Sequence, residues 1–240
     1  MKRIIQVKGI IATVNHSLFA LSVEGRAFIP HGKEAVSLLN TDKLKKLKSV
    51  IKEFQEFDQR VFHQYIKNID DNDIILIGSN TYQDAYGLFK HLIGDKDVIF
   101  IIADKEGVNI ISQTSDEWRK EGEVVETFSY ASTEKEATLN ELKEYTLEFA
   151  EEHADSIDDN VRVHVMGGKS IYRIMKEYYS DFMSVNVNIK ESMFKEFTRQ
   201  YPNIKFELTD VVVSMKNNNF YTKNLIEKKG DISVLLLSKT

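Results

Sequence analysis

Short runs of apolar, β-branched residues alternate along this chain with longer segments of helical periodicity. The runs at 74–77, 98–103 and 161–166 are typical of buried strands, because β-branched side chains suit a pleated surface and each run is too short for a helix. Segments with helical spacing of apolar residues lie at 42–67, 79–92, 134–154 and 171–178. This alternation predicts the α/β class, with a mixed, mostly parallel central sheet flanked by helices.

The last quarter of the chain departs from this alternation. Runs rich in strand-forming residues lie at 184–189, 206–215, 220–226 and 232–238. The triplet Asn217-Asn218-Asn219 has the chemistry of a tight turn, so we expect a hairpin that joins the second and third runs. Such a hairpin would add antiparallel strands at one edge of the sheet.

Composition narrows the classes of function. The net charge of −5, from 32 basic and 37 acidic residues spread along the chain, argues against a nucleic acid partner. No apolar run reaches the roughly 18 residues of a membrane span. The absence of cysteine excludes disulfides and thiolate chemistry and is typical of the cytoplasm, and the six histidines show no metal-binding pair. With only two prolines and no repeat or composition shift, we expect residues 1–240 to form one domain.

The first chemical signal is a strand that runs through two glycines directly into a helix. It comprises Val161 to Met166, then Gly167 and Gly168, and then the helix that contains Tyr172. Glycines let a backbone approach a ligand closely, and the free N–H groups at a helix start attract anions such as a pyrophosphate. The alternative is a tight turn with no ligand.

The second signal is the segment from Ile74 to Tyr82, where a strand again ends at a glycine, Gly78. Two such strand ends side by side would form a crevice at the carboxyl edge of the sheet, where open α/β folds bind ligands. In the alternative reading, Ser79, Asn80 and Thr81 serve only to cap the following helix.

The third signal is a carboxylate within the apolar stripe of the long helix, which runs through positions 44, 47, 51, 54, 62 and 65. Asp58 stands where a hydrophobic residue is expected, and acids kept in such positions often carry proton chemistry. Asp58 is therefore the candidate acid, unless the helix breaks or rotates near Phe57 and leaves it in solvent. Glu34, in the loop that follows Pro30, is the alternative acid.

Taken in order, these parts resemble the dihydrofolate reductase family. That family has an opening strand, a loop proline, a helix with an acid four residues before an aromatic residue, a GRxTW-like segment, a GG segment followed by a tyrosine, and a terminal hairpin. The matching parts of this chain are 9–14, Pro30, Asp58 with Phe62, 78–82, 166–172 and 220–223.

The resemblance implies hydride transfer from NADPH, with NADH as the alternative, to a small-molecule substrate, dihydrofolate or a related pterin. It gives Asp58 the role of proton donor and sets Ile11 and Phe62 against the substrate ring. The cofactor-binding residues that it implies are Gly78, Ser79, Asn80, Thr81, Gly167, Gly168, Lys169, Ser170 and Tyr172.

Three departures from the family pattern bear on its ligands. Ser79 replaces the cation that meets a cofactor phosphate, and Asp95 replaces the arginine that binds the glutamate tail of folate, although Lys96 follows it. Asp104, after the strand 98–103, suits a free ribose hydroxyl better than a phosphate. Two alternatives therefore stay open: a reductase of a ribosylated pyrimidine, and a non-catalytic domain that binds a nucleotide or a protein partner.

Overall fold

The fold is given by a computed structural model that describes residues 5–16, 18–21, 45–114, 123–157, 159–200, 205–208 and 210–240. Pro30, Glu34 and Leu44 lie outside these ranges. The strands are β1 (Gln6–Val14), β2 (Leu18–Leu21), β3 (Ile74–Gly78), β4 (Val98–Ala103), β5 (Gly107–Gln113), β6 (Glu123–Ser129), β7 (Arg162–Met166), β8 (Tyr179–Val187), β9 (Lys205–Leu208), β10 (Tyr221–Lys229) and β11 (Ile232–Lys239). The helices are α1 (Lys45–Lys67), α2 (Ser79–Ile93), α3 (Lys135–Ile157), α4 (Lys169–Ile174), α5 (Glu191–Gln200) and α6 (Val211–Asn217).

Contacts divide the chain into two compact units. The first is drawn from Met1–Gly9 and Gln64–Phe182, and the second from Ile10–His63 and Met183–Thr240. None of the helices in the described part of the chain is long and apolar enough to cross a membrane.

The first unit contains a mixed sheet whose strands follow the order β1, β7, β3, β4, β5, β6. The ladders among β1, β7, β3 and β4 are parallel, and the next two are antiparallel. Ile74 to Ile77 in β3 are 0% exposed, as expected for a strand covered on both faces. The α/β class with a mixed sheet is thus confirmed, with a larger antiparallel share than the sequence alternation predicts.

The second unit contains antiparallel ladders between β1 and β2, between β2 and β9, and between β10 and β11. The predicted hairpin around Asn217 is wrong. Residues 211–217 form α6, in which Val211, Val212 and Met215 are buried at helical spacing. The β-branched valines of this segment favour a strand locally, but burial of one helical face overrides that preference. The hairpin instead joins β10 to β11 through Gly230, whose φ of 58° suits a tight turn.

Helix α1 presents one buried face in the second unit. Phe54, Phe57, Asp58 and Val61 are each at most 7% exposed, and their spacing of three, four and seven residues places them on one side of the helix. Asp58 therefore lies on the buried face, and the reading in which the helix breaks near Phe57 is wrong.

Candidate functional site

Two glycine turns lie side by side at the carboxyl edge of the parallel strands in the first unit. β3 and β7 are neighbours, with Ile77 in register with Met166. Gly78 is the last residue of β3, and Gly167 directly follows β7. Both strands therefore end at the same edge of the sheet. The two strand ends are thus neighbours, as the sequence signals predict.

The fold itself requires glycine at 167 and 168. Both residues have positive φ, 106° and 79°, which L side chains rarely adopt. A Cβ on Gly167 would also lie 2.9 Å from the side chain of Thr81, in the first turn of α2. Thr81 therefore packs closely against the backbone of Gly167, which brings the two turns together.

Tyr172 fixes the same turn from the other side. Its ring is buried, and its hydroxyl accepts a hydrogen bond of 2.9 Å from the backbone N–H of Gly167. A buried N–H without a partner is unfavourable by about 1–3 kcal/mol, so this bond holds the turn in place. Tyr172 thus acts on the glycine turn directly, as a positioning residue.

Gly78 differs from the other two glycines, because the protein itself does not require it. Its φ of −77° is open to any residue, and within the described part of the chain a Cβ there would meet only Ile171, at an ordinary 3.8 Å. A side chain at this position would instead fill the space above the edge of the sheet. A bare backbone of this kind suits a ligand that approaches closely.

The first turn of α2 has no side-chain cap. Gly78 is the residue that precedes the helix, and as a glycine it has no side chain to cap the N–H groups of the first turn. The reading in which Ser79, Asn80 and Thr81 are capping residues is therefore wrong, because these residues lie inside the helix. Helix α4, by contrast, has only six residues and contributes little dipole of its own.

The remaining residues expected at the cofactor edge lie on the surface or half-buried. Gly168 and Asn80 are exposed, whereas Ser79, Lys169 and Ser170 are half-buried. All of them belong to the first unit, as do both glycine turns.

Among the described carboxyl groups of the second unit, Asp58 is the one that is buried. It is 7% exposed, and no hydrogen bond or ion pair from a described residue reaches it. Burial raises the pKa of Asp58 to about 7, because the charged form loses its hydration. Such a carboxyl group carries a proton for much of the time at neutral pH.

The residues expected beside the substrate also belong to the second unit. Ile11, in β1, is buried, and Phe62, in α1, is half-buried. Glu34, the alternative acid, lies outside the described residues.

A buried polar network at the opposite, amino-terminal ends of the strands was not predicted from the sequence. His164 Nε2 lies 3.0 Å from Asp73, and Tyr65 lies 3.1 Å from His164 Nδ1. Arg162 donates to Asp73 at 3.0 Å and also pairs with Asp70. A histidine inside an apolar strand and an aspartate directly before another strand are the signals that could have revealed it.

The network has defined protonation states. Burial acts to raise the pKa of Asp73, but hydrogen bonds and charge from His164 and Arg162 hold it below its usual value. Burial lowers the pKa of His164. The ionised Asp73 therefore accepts from Nε2–H of a neutral His164, whose Nδ1 accepts from the hydroxyl of Tyr65. Every group has a partner, which is typical of a structural network.

Lys96, which follows the substituted position Asp95, is engaged elsewhere. Its Nζ donates to the carbonyl oxygen of Lys67 at 3.0 Å and to that of Ile69, and it lies 3.9 Å from Asp70. Lys96 thus closes the carboxyl end of α1.

Comparisons with known proteins find no matching family model and no matching curated protein. Among solved structures, one similar protein is a diaminohydroxyphosphoribosylaminopyrimidine deaminase/5-amino-6-(5-phosphoribosylamino)uracil reductase from Thermotoga maritima, with 12% identity and a TM-score of 0.48 over 100% of this chain. This chain spans only 57% of that protein. A riboflavin biosynthesis protein from Shewanella sp. PV-4 has 11% identity and a TM-score of 0.38, over 98% of this chain and 99% of that one.

Proposed function

We propose that this chain is an oxidoreductase of the dihydrofolate reductase type, which transfers a hydride from a reduced nicotinamide dinucleotide to a small heterocyclic substrate. The observation that carries the proposal is Asp58, a buried carboxyl group without a described partner. Reduction of a C=N bond adds a hydride to carbon and a proton to nitrogen, so the enzyme needs an acid besides its hydride donor.

Asp58 has the properties of that acid. With a pKa of about 7, it is protonated often enough to donate and acidic enough to give the proton up. After each turnover it regains its proton from water. Its burial maintains this pKa, as in other sites where a carboxyl group acts as an acid.

The glycine edge of the first unit supports the binding of a dinucleotide. Gly78 leaves space for a ligand, and the N–H groups of the first turn of α2 suit its phosphates. When bound, the dinucleotide supplies the hydride from its nicotinamide ring. The sequence resemblance implies NADPH, with NADH as the alternative.

Two substrate classes fit the proposal. The resemblance implies dihydrofolate or a related pterin. A ribosylated pyrimidine is favoured instead by Asp95, which replaces the arginine that binds the glutamate tail of folate. Asp95 would repel a glutamate tail, and Lys96 is engaged at the end of α1. A substrate without that tail needs neither cation.

Turnover tests the proposal. The protein is mixed with NADPH or NADH and with dihydrofolate or a ribosylated aminopyrimidine, and the absorbance of the reduced nicotinamide is followed. We expect oxidation with at least one pair, and kcat/KM should fall as the pH rises through about 7, because Asp58 must be protonated to donate.

Two variants separate chemistry from folding. Asp58→Asn should abolish turnover while the dinucleotide still raises the melting temperature. Glu56→Gln, an exposed change in the same helix, should retain turnover. Full activity of Asp58→Asn would refute the role of this acid. A melting shift without turnover on either substrate would favour the non-catalytic reading, and no shift at millimolar dinucleotide would refute the cofactor site.

A further inference from the structure

The strand next to the glycine edge ends in a carboxylate. β3, α2 and β4 form a strand–helix–strand unit in which Gly78 is in parallel register with Ala103. Asp104 follows Ala103 directly. From ordinary strand spacing and rise, the Cα atom of Asp104 lies roughly 6 Å from that of Gly78.

The turn after β4 holds Asp104 in place. One carboxylate oxygen, Oδ1, accepts the backbone N–H groups of Glu106 at 2.8 Å and of Gly107 at 3.2 Å. The backbone N–H of Asp104 donates to the carbonyl oxygen of Gly107 at 3.0 Å. The residue is exposed, and its Oδ2 has no hydrogen bond within the part of the chain that the structure describes. A fixed carboxylate thus offers a free acceptor beside the edge.

We infer that Asp104 makes the dinucleotide site selective for the non-phosphorylated cofactor, NADH; the inference rests on the proposed function. In a strand–helix–strand unit of this kind, the adenosine ribose lies over the end of the second strand. An acidic residue there accepts a hydrogen bond from the 2′-hydroxyl of that ribose. NADPH carries a phosphate at that position instead.

Local charge acts in the same direction. The phosphate would stand beside the carboxylates of Asp104 and Glu106, and like charges at such distances repel. Ser79, in the first turn of α2, supplies no compensating cation. The competing group is Lys105, which lies between the two acids and could pair with a phosphate.

Binding of the two cofactors tests the inference without any substrate. The full chain is titrated with NADH and with NADPH, and the nicotinamide fluorescence is followed. We expect NADH to bind about tenfold more tightly, the scale of a hydrogen bond to a charged group. Asp104→Asn should keep the turn, because asparagine suits it equally. It should weaken the binding of NADH and strengthen the binding of NADPH, so that the two dissociation constants become more similar. Lys105→Met should leave the ratio unchanged.

The outcomes distinguish this inference from the proposed function. Tighter binding of NADPH, with that preference lost in Lys105→Met, would overturn the inference and leave the reductase proposal standing. An unchanged ratio in Asp104→Asn, with an unchanged melting temperature, would overturn it as well. No binding of either cofactor would refute the cofactor site, and the inference with it.

Discussion

His164 Nε2 lies 3.0 Å from Asp73 Oδ2, and neither side chain is more than 4% exposed. The pair joins β7 to the residue that precedes β3, two neighbouring strands of the first unit. Since a buried charge is unfavourable unless it is paired, the stability of this unit depends on the protonation of both groups.

The stability of the protein should fall as the pH drops below about 6.5, with His164 as one cause. Its pKa is lowered in the folded state, so the unfolded chain binds a proton that the folded chain does not. The stabilisation is complete above the unfolded pKa of 6.5 and is lost as the pH falls through the folded value. Melting temperatures between pH 8 and pH 5 measure the slope. His164→Gln should reduce it, whereas the exposed His91→Gln should not; equal slopes for His164→Gln and the wild type would contradict the prediction.

Asp58→Asn should stabilise the protein at alkaline pH while it abolishes turnover. The folded pKa of about 7 exceeds the ordinary value of 3.8, so the stabilisation by the proton is complete below pH 3.8 and is lost as the pH rises through 7. The advantage of the variant over the wild type should therefore grow with pH, by up to roughly 4 kcal/mol. Urea unfolding at pH 5 and pH 8 measures this difference. An advantage that is equal at both pH values would show that Asp58 is not desolvated.

Two glycine-to-alanine changes in and before α2 should have different effects. A Cβ on Gly87 meets nothing within 4 Å, so Gly87→Ala should stabilise the helix by about 0.5–1 kcal/mol. Gly78→Ala should also fold, but should weaken dinucleotide binding on the order of tenfold, about 1.4 kcal/mol. Gly87 lies about 13.5 Å further along the helix and serves as the matched control. Equal dinucleotide affinity in both variants would argue that no ligand approaches Gly78.

Tyr172→Phe should loosen the glycine turn. The change removes the acceptor for the backbone N–H of Gly167 and keeps the ring, so we expect a loss of about 1–2 kcal/mol in the free energy of unfolding. Weaker dinucleotide binding should accompany it. Tyr178→Phe, at a tyrosine that is 41% exposed, is the control and should change neither. Unfolding midpoints in urea give the free energies. A Tyr172→Phe midpoint equal to that of the wild type would show that the hydroxyl does not stabilise the turn.

The parts of the fold that depend on local patterns could be predicted from the sequence. Ile74 to Ile77 are predicted as a strand because they form a short, entirely apolar run, and all four are buried in the structure. Asp58 could be identified because the periodicity of a long helix shows which positions belong to its apolar face, and a polar residue at such a position is unexpected. Residues 211–217 were misassigned because burial of one side, and not local preference, decides their conformation. In β6, Val124 and Val125 are both exposed, so the strand shows no alternation to detect.

The buried network could not be predicted because it depends on register between distant segments. Tyr65, Asp73 and His164 meet only once α1, β3 and β7 have taken their places. Sequence spacing carries no information about such a meeting. The sequence likewise cannot show that a side chain would fit at Gly78, because this depends on the residues that surround it in the fold.

The ladder between β1 and β7 has a consequence for synthesis. Gln6 pairs with Arg162, so the opening strand leaves the ribosome long before its parallel partner exists. The meander β4, β5, β6 joins neighbours in the chain and can close early, whereas the distant ladder must wait for a large loop to close. The nascent chain therefore carries β1 without that partner until β7 has been synthesised, the interval in which a chaperone would matter most.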